Sequence, residues 1–242
     1  MNRNYSSFAE LPPSELHLIN RIYNGSALDK VVIQRFNIKI TVGTLHLLKE
    51  NTWLNDEVVN FYLELIKEND TFVNSSVSER SYFANTYFYG QLRDAHGVFC
   101  YENVQSWVRE TNIFSFKYLF FPINIRSSHW TLVVIEMSSK RIYFYDSLND
   151  NCTYLKMDVF NLWLDREYER NYGDKEKFER FEVINGLCPQ QPNGNDCGVY
   201  ILAFVLLRYR DLDLYEFHQR HVPSMRKRIA LSLAKGLLLV MK

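Results

Sequence analysis

Between residues 118 and 148 three apolar runs follow one another: YLFFPINI (118–125), WTLVVIEM (130–137) and RIYFYDSL (141–148). Runs so rich in β-branched and aromatic residues read as strands, and Ser138-Ser139-Lys140 between the last two reads as a hairpin turn. A chain with this centre folds around a sheet. Helical patterns lie on both sides of it. Pro12-Pro13-Ser14 opens a helix that Gly25 stops. Two weak strands over 31–33 and 36–40 and a short helix over 44–49 come next. Asn55 is placed as an N-cap with Asp56 and Glu57 in the first turn, where the helix dipole favours acids. Val58, Phe61, Tyr62, Leu65 and Ile66 then recur at helical spacing and mark a buried face. Beyond the sheet, residues 153–172 read as a helix and 180–184 as a strand. Residues 197–210 form a nearly continuous apolar helix, and Pro223 begins a last one. Helices, a central sheet and helices again are an α+β pattern.

No low-complexity run, flexible linker or internal repeat interrupts the chain, which holds nine Gly and six Pro. Residues 1–242 are therefore read as a single domain, with 1–30 its least defined part. At 47% hydrophobic residues, disorder along the whole length is excluded. Lys+Arg and Asp+Glu both number 28, so the basic excess of a nucleic-acid binder is missing. The most apolar stretch, 229–240, contains Lys235 and falls short of the roughly 20 residues of a membrane span. The polar start lacks the apolar core of a secretory signal. The expectation is an intracellular monomer of nucleus or cytoplasm, without nucleic-acid or membrane partners. Cys100, Cys152, Cys188 and Cys197 form no C-x-x-C and read as reduced thiols.

Three segments carry residues of catalytic type. In CPQQPNGNDCG (188–198) a loop of turn formers delivers Cys197 to the start of the apolar helix. Backbone N–H groups and the dipole at a helix start stabilise a thiolate, and Gly198 lets the backbone pass close to what lies above it. His129 precedes one strand of the predicted hairpin and Asp146 follows the other. Antiparallel strands bring those outer ends together, so the two should be neighbours. A carboxylate there fixes the imidazole tautomer and stabilises the imidazolium. Histidine, carboxylate and helix-start cysteine together make a nucleophilic set. A glutamine amide from the same loop can join the Cys197 N–H in holding an oxyanion. Spacing does not choose between Gln190 and Gln191.

Taken in order, WLNDEVVNFYLELI, PINIRSSHW, YDSL and CPQQPNGNDCGVY resemble the catalytic domain of the ubiquitin-like-protein proteases, the Ulp/SENP family. The resemblance runs from about Val31 to the C-terminus, where EFHQRHVPSMRKRIALSL resembles the family's closing helices. It implies a papain-like or adenain-like cysteine protease fold, with a central mixed β-sheet flanked by helices. It implies His129 as general base, Asp146 as its orienting acid, Cys197 as nucleophile and Gln191 as the oxyanion residue. Trp53 and Trp130 correspond to two indoles that close over the Gly-Gly tail of the substrate, and Asp56 to a residue that contacts the modifier. Asn195 departs from the family, which often carries a larger residue there.

The expected activity is cleavage after the C-terminal Gly-Gly of SUMO, in precursor maturation or release from lysines, with no metal or cofactor. The expected partners are SUMO or another ubiquitin-like modifier and its conjugates. The rival readings are a NEDD8 protease of the same fold, a YopJ-like acyltransferase and a non-catalytic binding module. Residues 49–70 hold six acids against two lysines. An acidic face suits a modifier with a basic strip, although most of these acids read as an ordinary solvated helix face. Arg226-Lys227-Arg228 is a basic run too short to mark a nucleic-acid site.

Overall fold

The computed structural model describes Phe8 and residues 11–148, 157–173 and 178–239. In chain order its elements are α1 (Pro13–Tyr23), β1 (Val31–Arg35), β2 (Ile38–Thr41), α2 (Val42–His46), α3 (Asp56–Val73), β3 (Ser81–Phe83), α4 (Phe88–Gln91), β4 (Tyr118–Ile125), β5 (His129–Glu136), β6 (Arg141–Tyr145), α5 (Asp158–Tyr172), β7 (Glu182–Asn185), α6 (Cys197–Arg208) and α7 (Val222–Lys235). The chain divides into two compact units, Met1–Asn69 with Cys188–Lys242, and Asp70–Leu187.

The second unit is built on a mixed five-stranded sheet in the order β3-β4-β5-β6-β7. The outer pairs are parallel and the inner pairs antiparallel. β4 and β5 are buried nearly end to end, as expected of central strands covered on both faces. β3 pairs only with residues 118–120 and stops short of Pro122, which has no N–H to offer a neighbour. Phe160, Trp163 and Leu164 of α5 pack with Leu119, Phe121, Val133 and Ile135 of the sheet. Asn161 fixes α5 to the chain ahead of β7: its amide donates to Phe181 O at 3.0 Å and accepts from Phe181 N–H at 2.8 Å. That bidentate bond takes the backbone of Phe181 out of the ladder. The strand expected over 180–184 therefore begins at Glu182. The helix expected over 153–172 is found from Asp158, and residues 153–156 lie outside the described ones.

In the first unit β1 and β2 form an antiparallel hairpin. Phe36 and Asn37, expected in a strand, instead make its turn with φ of 55° and 59°. Hairpin turns of this type need positive φ at both central residues so that their twist matches the strands. The short helix begins at Val42, because Thr41 accepts from Thr44 N–H and caps it. Asn55 caps α3 by accepting from Val58 N–H at 3.1 Å. Val58, Phe61, Tyr62, Leu65 and Ile66 are all buried, as their spacing requires. α6 is buried from Cys197 to Leu207, which its all-round apolar sequence demands. Among the described residues no helix is long and apolar enough to cross a membrane.

Candidate active site

In the second unit a tight turn joins β4 to β5. Arg126 and Ser127 hold it at φ of 50° and 57°, and Ser128 N–H closes it on Ile125 O. The turn brings His129 into β5 as its first residue, paired with Ile125. Asp146 is the first residue beyond β6, whose Tyr145 pairs with Leu132. The hairpin ends meet as the sequence requires. His129 Nε2 lies 2.7 Å from Asp146 Oδ1, and both side chains are buried. The same Oδ1 accepts from Leu148 N–H at 2.9 Å, which fixes the carboxylate from the chain that follows. Trp130, next along β5, is 3% exposed.

Gly186 packs against the residue that leads into Asp146. A Cβ there would fall 2.3 Å from Cε1 of Tyr145, the residue preceding Asp146. Gly186→Ala is expected to lower stability by about 1–3 kcal/mol, as overpacking does. It should also reduce turnover by displacing Tyr145. Thermal unfolding and kcat measured together check this, and a variant unchanged in both refutes it.

In the first unit the loop 188–196 delivers Cys197, 2% exposed, as the first residue of α6. Asp196 precedes it, but its carboxylate makes no cap bond to the helix. The Asp196 Oδ2 accepts from Asn193 Nδ2 at 2.7 Å and from Gln219 Nε2 at 2.8 Å, and Oδ1 accepts from Arg226 Nη2 at 2.7 Å. Burial pushes this carboxyl up. The hydrogen bonds from Gln219, Asn193 and Arg226, with the charge of Arg226, outweigh burial and hold it below the usual carboxylate range. The stabilisation is therefore fully present above about pH 4 and is lost as pH falls through the depressed folded value. Asp196→Asn should lower stability near pH 6 by about 3–5 kcal/mol, since it strands a buried guanidinium. In urea titrations its deficit against the unsubstituted chain should shrink on acidification below pH 4. A gap constant with pH would contradict this.

The loop distinguishes the two glutamines. Gln191 is buried, and its Nε2 donates to Asn193 O at 2.5 Å. Gln190 is exposed and folds back onto Cys188 O at 3.1 Å. Gly198 has the close approach expected of it: a Cβ there would lie 2.9 Å from Leu54 Cβ. Trp53, beside Leu54, is 52% exposed, and Asp56 is half-buried at the start of α3.

The acidic stretch 49–70 is largely consumed locally. Asp70 is buried and accepts from Ser81 N–H at 2.7 Å, Glu68 pairs with Arg35 at 2.7 Å, and Glu64 pairs with Lys67 at 3.3 Å. Arg226, which the sequence marks only as part of a basic run, is a further functional candidate. It is 1% exposed and ion-paired to Asp196. The available signal was its place on the apolar stripe Val222, Met225, Ile229, one turn after Val222. Cys100, Cys188 and Cys197 are in no disulfide, and Cys152 lies outside the described residues. Among the described residues no group of three or more His, Cys, Asp or Glu is placed to hold a metal ion.

Residues 52–238 match the Ulp1 protease family, C-terminal catalytic domain. A sentrin-specific protease of Caenorhabditis elegans is 30% identical over 233 residues, 96% of this chain and 32% of that protein. The ubiquitin-like-specific protease ESD4 of Arabidopsis thaliana is 32% identical over 231 residues, 92% of this chain and 46% of that protein. The chain thus spans less than half the length of these curated relatives. Among solved structures, the C-terminal Ulp1 protease domain in complex with Smt3, the yeast ortholog of SUMO, superposes with a TM-score of 0.79 at 26% identity. The match covers 95% of this chain and 97% of that one. The mixed sheet and its helices are thus those of a known cysteine-protease fold, and the chain belongs to the Ulp1 protease family as a copy of its catalytic domain.

Proposed function

We propose that the chain is a single cysteine-protease domain that cleaves after the C-terminal Gly-Gly of SUMO, maturing precursors and releasing SUMO from lysines. The observation that carries this reading is the buried hydrogen bond of 2.7 Å between His129 and Asp146. It occurs in a chain whose relatives include a sentrin-specific protease and a Ulp1 domain bound to a SUMO ortholog. Cys197 is the nucleophile. Asp146 engages Nε2 of His129, so Nδ1 is the nitrogen that takes the thiol proton. The sulfur attacks the glycine carbonyl carbon while the carbonyl π pair moves onto oxygen. The Gln191 amide and the Cys197 N–H hold that oxyanion. The pair returns, the C–N bond breaks, and His129 passes its proton to the departing lysine amine. Water, deprotonated by His129, then attacks the thioester, which yields the free carboxylate and the thiol. The reaction so written uses no metal or cofactor.

Trp53 and Trp130 cover the tail, which fits because glycine has no Cβ to meet the indoles. Asp56 contacts the modifier body. The test is kcat/KM on three fluorogenic substrates: SUMO ending in Gly-Gly, NEDD8 ending in Gly-Gly and SUMO ending in Gly-Ala. SUMO-Gly-Gly should be cleaved far faster than NEDD8, and Gly-Ala about 10²-fold more slowly than Gly-Gly, the scale of a misplaced carbonyl. Preference for NEDD8 would make the chain a deneddylase. Equal rates for the two SUMO tails would remove the tunnel.

A further inference from the structure

Arg226 is more fully engaged than neutralising one carboxylate requires. It lies inside the apolar stripe of α7 at 1% exposure. A guanidinium so buried is strongly destabilising unless its donors are satisfied. Its Nε and Nη2 reach Asp196 Oδ1 at 3.2 and 2.7 Å. Nη2 also donates to Asn195 O at 3.1 Å and Thr52 O at 2.8 Å. Nη1 donates to Lys49 O at 3.0 Å and lies 3.4 Å from Leu47 O. These acceptors belong to two segments far apart in the chain. One, 47–52, leads directly into Trp53. The other, 195–196, leads directly into Cys197.

Just beyond the two segments the chain comes together again, where Leu54 lies over Gly198 with no room for a Cβ. Their separation is therefore tightly defined. A planar fork of five N–H donors can bind carbonyls of both segments at once, which a single ammonium on a flexible stem cannot do. Tyr200 extends the support, since its hydroxyl donates to Gln219 Oε1 at 2.9 Å while Gln219 Nε2 holds Asp196.

We propose that Arg226 is a positioning residue of the reaction. It clasps the segment carrying Trp53 to the turn presenting Cys197, so that the indole over the substrate tail and the nucleophile are set together. The inference rests on the roles given above to Cys197 and Trp53. Its effect falls on kcat, because alignment of the scissile carbonyl is what the clasp controls, whereas the modifier body binds over a wider surface.

The experiment uses Arg226→Lys, which keeps a charge for Asp196 but cannot span both segments. On SUMO-Gly-Gly, kcat should fall about 10²-fold while KM changes by less than about threefold. Alkylation of Cys197 by iodoacetamide, followed by mass spectrometry, should stay within about threefold of the unsubstituted chain, because α6 still presents the thiol. Amide hydrogen exchange should speed up in 47–54 and remain unchanged in 118–145. A purely structural role would lower the melting temperature and leave kcat per folded molecule intact. That result overturns the proposal, as does alkylation that falls in step with kcat.

Thr52→Ala is the second variant. It removes the hydroxyl that donates to Leu47 O at 2.6 Å and Lys49 O at 2.7 Å, and it strands no buried charge. It should lower kcat about fivefold alone and add little to Arg226→Lys, as expected for residues of one network. If Arg226→Lys does not fold, Thr52→Ala decides, and a kcat within about twofold of the unsubstituted chain overturns the proposal. Failure of the unsubstituted chain to cleave SUMO-Gly-Gly would sink the protease reading instead. The exchange measurement then still judges the clasp by itself.

Discussion

Cys197→Ala is expected to lower turnover of SUMO-Gly-Gly by about 10⁴-fold or more, the scale seen when a covalent nucleophile is removed. Fold and SUMO binding should survive. Cys197 is 2% exposed, so the substitution leaves only the space of one sulfur atom. The loss belongs to the chemistry, because without the thiol no acyl-enzyme forms and water must attack the amide directly. Cys188 is the informative control. It is buried in the same loop, with its Sγ 3.6 Å from Gln190 Nε2, but lies nine positions earlier and starts no helix. Cys188→Ala and Cys100→Ala should keep most activity. Substantial turnover by Cys197→Ala, or iodoacetamide labelling fastest at Cys188, would remove Cys197 from its role.

His129→Ala is expected to lower kcat by about 10³–10⁴-fold, near the upper range for losing a general acid–base group. Asp146→Asn should be milder, about 10–10²-fold, for a reason visible in the geometry. Asp146 Oδ1 accepts from both His129 Nε2, at 2.7 Å, and Leu148 N–H, at 2.9 Å. An asparagine keeps an oxygen at that point and continues to orient the ring. Only the negative charge that steadies the imidazolium is lost. Asp146→Ala removes both and should approach His129→Ala. Steady-state rates for the three variants from pH 5 to 9 separate these outcomes. Asp146→Asn as damaging as His129→Ala would show that charge, and not orientation, is the main contribution of the carboxylate.

The legible parts of the fold were those written locally. The hairpin of β5 and β6, the Asn55 cap on α3, the buried face of α3 and the burial of α6 follow from periodicity, capping chemistry and turn residues. The meeting of His129 and Asp146 was legible for the same reason, since a hairpin's register is fixed by its own turn. The choice between Gln190 and Gln191 was not legible from the residues, because adjacent amides in a loop are chemically alike. The resemblance favoured Gln191, and burial sets that side chain apart from its exposed neighbour.

The α+β composition, the hairpin that pairs imidazole with carboxylate, and the helix start that bears the thiol are written in the chain itself. Each depends on residues within a few positions or one turn of one another. Long-range packing sets the rest: β3 and β7 join the sheet as parallel edges, Gly186 packs against Tyr145, and Arg226 reaches Thr52 across 174 positions. The apolar stripe of α7 marks Arg226 as facing inward, but a buried arginine that pairs with one carboxylate and one that joins two distant segments have the same local signature. What separates them is the set of acceptors that long-range packing brings within reach, and no periodicity in the chain records which distant carbonyls those will be.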